Sequence, residues 1–229
     1  MKIDINQRIL SAHDAKTAQN KHLLAAKRIV TINLMGSPGA GKTSLLEGVM
    51  SLLSPELRVA VIEGDLFTTK DAERVAALGI PAVQINTRGA CHLDGSMMEG
   101  ALAQLSLDEI DLLIIENIGN LVCPAEFDLG EDFRLCLLSV TEGEDKITKY
   151  PLMFKDANAV VLNKVDLLPY VDFGLEQFYQ DLTLLNPQVS ILEVSCRTTA
   201  GLPELADWIK QCVAAKRQDL DQTAMQEKG

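Results

Sequence analysis

No stretch of this 229-residue sequence approaches the ~20 consecutive apolar residues that a membrane-crossing helix needs, so no span is expected. Basic residues are in the minority: 21 Lys and Arg stand against 32 Asp and Glu, a formal net charge of −11. Binding of nucleic acid or of an anionic membrane through a positive field requires clustered Lys and Arg, so neither partner is expected. Cysteine is sparse, and five scattered thiols, an odd number, do not make a disulfide framework. The opening MKIDINQRILSAHDAKTAQNKHLL carries charges throughout and lacks the apolar stretch of a secretory leader. Reduced thiols and a cytoplasmic location follow as expectations. Internal repeats and low-complexity linkers are missing as well, and a chain of this length with 47% hydrophobic residues is expected to bury one core.

What the sequence does contain is a succession of short β-branched runs: 29–35, 58–64, 82–86, 111–117, 134–140, 158–163 and 189–195. Several are almost continuously hydrophobic, which is the pattern of strands buried on both faces of a parallel sheet. Helical stretches alternate with them, among them TSLLEGVMSLL, KDAERVAALG, DGSMMEGALAQL and FGLEQFYQDLTLL. The fold class predicted is therefore α/β, a mostly parallel sheet of about seven strands with helices on both faces. In such folds ligands bind beyond the carboxyl ends of the strands. The chain divides on this reading into a helical extension over 1–28, an α/β domain over 29–217 that holds the candidate sites, and a polar tail over 218–229 that is expected to fray.

Directly after the first strand, GSPGAGKT fits G-x-x-x-x-G-K-[ST] and leads into a helix. Gly36, Ser37, Gly39, Ala40 and Gly41 let the backbone curl so that its N–H groups, with those of Thr43 and Ser44 at the helix start, surround phosphate. Lys42 reaches the terminal phosphates, and the Thr43 hydroxyl meets Mg²⁺. At a later strand end stands NKVD. Asp166 can accept hydrogen bonds from guanine N1–H and N2–H₂, a donor pair that adenine lacks, so GTP and GDP are the expected nucleotides. The Lys164 stem can lie along the base, Asn163 can tie this loop to the phosphate loop, and Ser195, Cys196 and Arg197 can offer backbone N–H to guanine O6. Magnesium prefers oxygen ligands, and Asp65 and Glu116 close neighbouring strands, so both are candidates to hold it and to act in phosphoryl transfer with Lys42. Gly119, in ENIG, is placed to bring a backbone N–H to the γ-phosphate.

Cys91 and His92 are adjacent, and Cys123 follows Glu116 by seven residues in what reads as a switch loop. All three come after strands at the nucleotide end of the sheet, and thiolate with imidazole is a ligand set suited to Zn²⁺ or Ni²⁺. Cys136, Cys196 and Cys212 read as packing residues.

Together GSPGAGKT, EGDLFTTKDAER, CHLDG, ENIGNLVCPAEFDLGE, TEGEDK, NKVD and VSCRTTAGL resemble the hydrogenase nickel-incorporation GTPases, the HypB family, of the SIMIBI class of P-loop GTPases. The resemblance runs from about Ile9 to Trp208, and ENIGNLVCPAEFDLGE is its most specific part. It implies a dimerising GTPase that helps deliver nickel to the large subunit of [NiFe]-hydrogenase. It further implies a Zn/Ni site of Cys91, His92 and Cys123 at the dimer interface, Mg²⁺ attended by Asp65 and Glu116, and Lys146 or Lys149 acting near nucleotide across the dimer. The implied partners are a second metallochaperone of the same pathway and a nickel-storing protein. Some members carry an amino-terminal cysteine motif or a His-rich tract, whereas the first 35 residues here contain no Cys and only His13 and His22, so tight metal binding is expected to rest on the GTPase domain. The nearest alternative is the urease-accessory nickel GTPase, from which CHLDG and ENIGNLVCPAEFDLG set this sequence apart. A different class altogether is a non-catalytic metal-binding dimer with GTP as a structural ligand, which turnover would distinguish.

Overall fold

Seven strands form one parallel sheet in the order β3-β2-β4-β1-β5-β6-β7: β1 Val30–Gly36, β2 Val59–Asp65, β3 Ala82–Asn86, β4 Leu112–Glu116, β5 Phe133–Ser139, β6 Ala159–Asn163 and β7 Ser190–Val194. The structure, a computed structural model, describes residues 5–65, 74, 77–87 and 89–226. Every neighbouring pair of strands runs parallel, so all carboxyl ends lie along one edge of the sheet. Each strand coincides with one of the β-branched runs of the sequence. The central strand β1 is buried at every position, as a strand covered on both faces must be.

Alternation along the strands sorts their side chains into two layers. Ile32 and Leu34 of β1, Leu135 and Leu137 of β5 and Val161 of β6 face a core shared with Leu45 and Val49 of α2 (Lys42–Leu53) and Leu205 and Ile209 of α8 (Leu202–Gln226). On the other face, Cys136, Leu138 and Val160 meet Met153 and Phe154 of α6 (Pro151–Lys155), which follows the one-turn α5 (Lys146–Lys149), and Phe178 and Leu182 of α7 (Leu175–Leu185). A third cluster joins Ile62, Leu113 and Ile115 to Leu93, to Met98 of α3 (Gly95–Leu102) and to Leu24 of α1 (Ile5–Ala26).

Two local expectations change. The tail over 218–229 does not fray from its first residue: α8 continues to Gln226, and its carboxyl-terminal half is fastened by Arg217, which donates to Asp111 at 2.6 Å, and by an Arg28–Asp221 ion pair at 2.8 Å. A polar stretch propagates as helix once side chains anchor it. Cys123 does not sit in open loop but opens a one-turn helix, α4 (Cys123–Glu126), in which Pro124 occupies a first-turn position where its missing N–H costs nothing. The helix expected over KDAERVAALG lies largely outside the described residues; Arg74, which is described, is helical.

Candidate functional site

The loop after β1 curls over residues 37–41 into α2. Gly41 has φ +103°, and a Cβ there would lie 2.6 Å from Asn163 Nδ2, so both conformation and space require glycine. No side chain caps the amino end of α2, so its first N–H groups are directed at the cleft, an arrangement that favours an anion. Lys42, 8% exposed as a residue, donates through its ammonium to the carbonyls of Gly36 and Ser37 at 3.2 and 3.3 Å and lines the cleft. Ser37 turns its hydroxyl onto Glu142, whose other oxygen accepts the Ser139 N–H at 2.9 Å, so only the backbone of Ser37 serves the loop.

On the β2–β4 side the Thr43 hydroxyl donates to Glu116 Oε1 at 2.9 Å. Asp65 and Glu116 line the same cleft, with Gly119 at its rim against Pro38. A second buried carboxylate, Glu63, stands in register opposite Glu116 and is 2% exposed. Hydroxyl and carboxylate oxygens at this spot fit Mg²⁺, which takes one or two carboxylates and completes its shell with phosphate and water. Glu63 escaped the sequence reading because VAVIEGD looks like an ordinary buried strand; the signal was a charged residue in an otherwise apolar run. Arg74 also lines the cleft, its guanidinium forked on Glu47 at 2.8 and 2.6 Å and reaching Ser44 Oγ at 3.4 Å.

The base end adjoins it. Cavities of about 490 and 570 Å³ share Gly41, Ser44 and Lys164, and together they have room for a base and its phosphates. Asn163 Nδ2 donates to Ala40 O at 2.9 Å and Lys164 Nζ to Gly39 O at 2.7 Å, so this loop and the phosphate loop hold each other. Asp166, Cys196 and Arg197 line the second cavity, and Asp166 Oδ1 accepts from the Ser195 hydroxyl at 2.6 Å. The backbone N–H of Ser195 is not available to a guanine oxygen, because it donates to Ala200 O at 2.9 Å. What Ser195 brings to this end is its hydroxyl on Asp166. The Cys196 thiol, pushed up by burial, donates to Asn163 Oδ1 at 3.4 Å. Lys146 and Lys149 line neither cavity: Lys149 pairs with Asp145, and Lys146 stands 5.5 Å from the Tyr150 ring centre.

Farther along the same edge, Cys91 Sγ lies 3.0 Å from Cys123 Sγ and 3.5 Å from His92 Nδ1, and one ligand atom from each of the three falls within 4.8 Å of the others. The Cys91 thiol is pushed up, first by its hydrogen bond to Cys123. Two sulfurs and an imidazole nitrogen are a donor set that fits Ni²⁺ or Zn²⁺. The His92 ring stacks on Phe127 at 3.7 Å and 8°, a contact no spacing announces. Asn120 connects the two sites: its backbone bridges Gly36, and its side chain donates to Cys91 O at 3.2 Å and accepts the Val122 N–H at 2.9 Å. The remaining cysteines are elsewhere. Cys136 is fully buried, its thiol pushed up to about 12 by burial, and Cys212 on α8 is pushed up to about 11 for the same reason.

A glycine-rich loop opening a helix, carboxylates on the neighbouring strand ends and an Asn-Lys-x-Asp loop beside them define a nucleotide-binding protein of the P-loop GTPase class. Residues 30–193 match the family model described as CobW/HypB/UreG, nucleotide-binding domain. The hydrogenase maturation factor HypB of Azotobacter vinelandii is 49% identical over 207 residues, covering 90% of this chain and 68% of that protein. Among solved structures, HypB from Helicobacter pylori in complex with nickel superposes with a TM-score of 0.85 at 38% identity, covering 91% of this chain and 97% of the other. HypB from Archaeoglobus fulgidus does so with 0.83 at 36% identity, covering 89% and 99%. The chain belongs to the HypB family of hydrogenase maturation factors.

Proposed function

We propose that this chain is a GTP-hydrolysing nickel metallochaperone that works in [NiFe]-hydrogenase maturation, with Cys91, His92 and Cys123 as the ligands of its metal cargo. The observation that carries the reading is Asn120, which joins the mouth of the phosphate loop at Gly36 to the backbone of Cys91 and to the segment entering Cys123. A change of the ENIG segment on loss of the γ-phosphate then reaches both sulfur ligands through a few hydrogen bonds.

In this account Asp166 accepts guanine N1–H and N2–H₂ while the Ser195 hydroxyl fixes its plane. The amino end of α2 and Lys42 hold the β- and γ-phosphates. Gly119 brings its N–H toward the γ-phosphate, and Thr43, Asp65, Glu116 and Glu63 supply oxygens for Mg²⁺. Mg²⁺ held by these oxygens would supply the positive charge that offsets what develops on the phosphate oxygens. Three donors leave a tetrahedral metal one ligand short, and the Cys91 thiol is exposed, so a second copy of the chain completes the site. Homodimerisation that needs metal follows from that incompleteness, and the Asn120 link makes it depend on GTP. A second metallochaperone, a nickel-storing protein and the hydrogenase large subunit are the partners this role requires, in the cytoplasm. Among the described residues no helix is long and apolar enough to cross a membrane.

Phosphate release under GTP and under ATP tests the reading: turnover of GTP well above background and none of ATP is expected. Binding of GTP without any hydrolysis would make the nucleotide a structural ligand and end the enzymatic account.

A further inference from the structure

Thr17, Asn20, Lys21 and Leu24 share one face of α1 by their spacing. That face meets both segments that carry the metal cluster. Asn20 Nδ2 donates to Gly95 O at 2.8 Å, a buried bond three residues beyond His92, where Asp94 caps α3 by accepting the Ser96 and Met97 N–H groups at 2.8 Å. Leu24 is buried in one cluster with Leu93 and Leu129. On the other arm, Thr17 Oγ1 donates to Asp128 O at 3.1 Å, one residue past the Phe127 ring on which His92 stacks. Gly130 has φ +86°, and a Cβ there would come within 3.2 Å of Lys21 Cβ and 3.3 Å of Thr17 O, so the second arm lies hard against the helix.

Thr17 and Asn20 are 6% and 3% exposed. An apolar residue would bury as well at either place, but it would leave the carbonyls of Asp128 or Gly95 without these donors. Their polarity is explained by the two carbonyls they meet, Asp128 O and Gly95 O at the start of α3. Neither arm has a long element of its own, since α4 is four residues and α3 begins only at Gly95. The helix is the common support.

We infer that α1 positions the metal cluster: through Thr17 and Asn20 it holds the His92 arm and the Phe127 arm in register and thereby sets nickel affinity. The inference rests on the metal reading of Cys91, His92 and Cys123. Groups that orient metal ligands from outside typically contribute 10- to 100-fold in affinity, a loss of at least ~10-fold being expected here for each bond removed.

The test uses the full chain as Thr17→Val, Thr17→Ser and Asn20→Ala. Nickel affinity is measured by chelator competition, the sulfur-to-nickel charge-transfer absorption is recorded, and GTP affinity is taken in the same samples. Thr17→Val and Asn20→Ala should weaken nickel binding at least ~10-fold and alter the absorption band with GTP affinity unchanged, while Thr17→Ser, which keeps the hydroxyl, restores both. Wild-type nickel affinity in Thr17→Val and Asn20→Ala overturns the inference, and so does a parallel loss of GTP affinity, which would make α1 a general scaffold. Cys91→Ala and Cys123→Ala run beside them: if these still bind nickel normally, the metal reading itself has failed, a result separable from failure of the α1 variants alone.

Discussion

At Asp166 one carboxylate oxygen is held by the Ser195 hydroxyl, in a cavity that Lys164, Cys196 and Arg197 also line. A carboxylate so fixed rewards a pair of N–H donors and penalises a base without them. Asp166→Asn should therefore weaken GTP binding by about a hundredfold, the size expected for losing charge-assisted hydrogen bonds, and favour xanthosine triphosphate, which competition binding reads directly. Unchanged preference for GTP would remove Asp166 from the base site. Lys42 is tested by turnover: with its ammonium gone, charge on the transferring phosphoryl group loses its nearest protein cation, so Lys42→Ala should abolish GTP hydrolysis while circular dichroism stays native. The glycine-rich loop and the Asn-Lys-x-Asp loop that line the two cavities were legible because each motif is contiguous and follows a strand. Glu63, Asn120 and Phe127 were not, because they matter only through register, a β-bridge and a ring stack that bring distant positions together.

Among the elements, the strands were readable for a physical reason: a parallel strand buried on both faces must be apolar nearly throughout, and β1, β4 and β6 are buried at every position. One-turn helices such as α4, α5 and α6 have too few residues to show a period, so the stretch that carries Cys123 read as loop. The extension of α8 was hidden as well, because it depends on partners outside the helix. Chief among them is Asp111, which accepts from Arg58 Nε at 2.9 Å and from Arg217 of α8 at 2.6 Å. The Arg58 hydrogen bond, with that of Arg217, holds the Asp111 carboxyl well below the usual carboxylate range, against the effect of burial. A depressed pKa contributes stability that is present above the unfolded value of about 3.9 and is lost as pH falls toward the folded one. Urea midpoints should then drop more steeply below pH ~4 in the wild type than in Asp111→Asn, which is less stable at neutral pH. Equal acid slopes in the two proteins would show that this staple contributes nothing.

For the molecule as a whole, the phosphate-loop cleft and the Cys91–His92–Cys123 cluster share one edge of the sheet, and Asn120 is hydrogen-bonded between them. If GTP favours one arrangement of the Cys123 segment, the affinity for metal must change by the same coupling energy with which metal changes the affinity for GTP. If a second chain completes the ligand set, metal and association are tied as well, since any ligand that binds the dimer better must promote it. The family was legible in the sequence from ENIGNLVCPAEFDLGE, and the grouping of Cys91, His92 and Cys123 was legible from their places after strands at one end of the sheet, whereas the direct contact of the two sulfurs at 3.0 Å was not, because the β4 strand lies between them in the chain. Sedimentation of the chain during nickel titration, in the presence of a non-hydrolysable GTP analogue, tests the central claim most directly. Wild type should bind nickel stoichiometrically and pass from monomer to dimer, whereas Cys91→Ala and Cys123→Ala should bind GTP normally yet take up no stoichiometric nickel and remain monomeric; variants that bind nickel and dimerise as the wild type does would contradict the account.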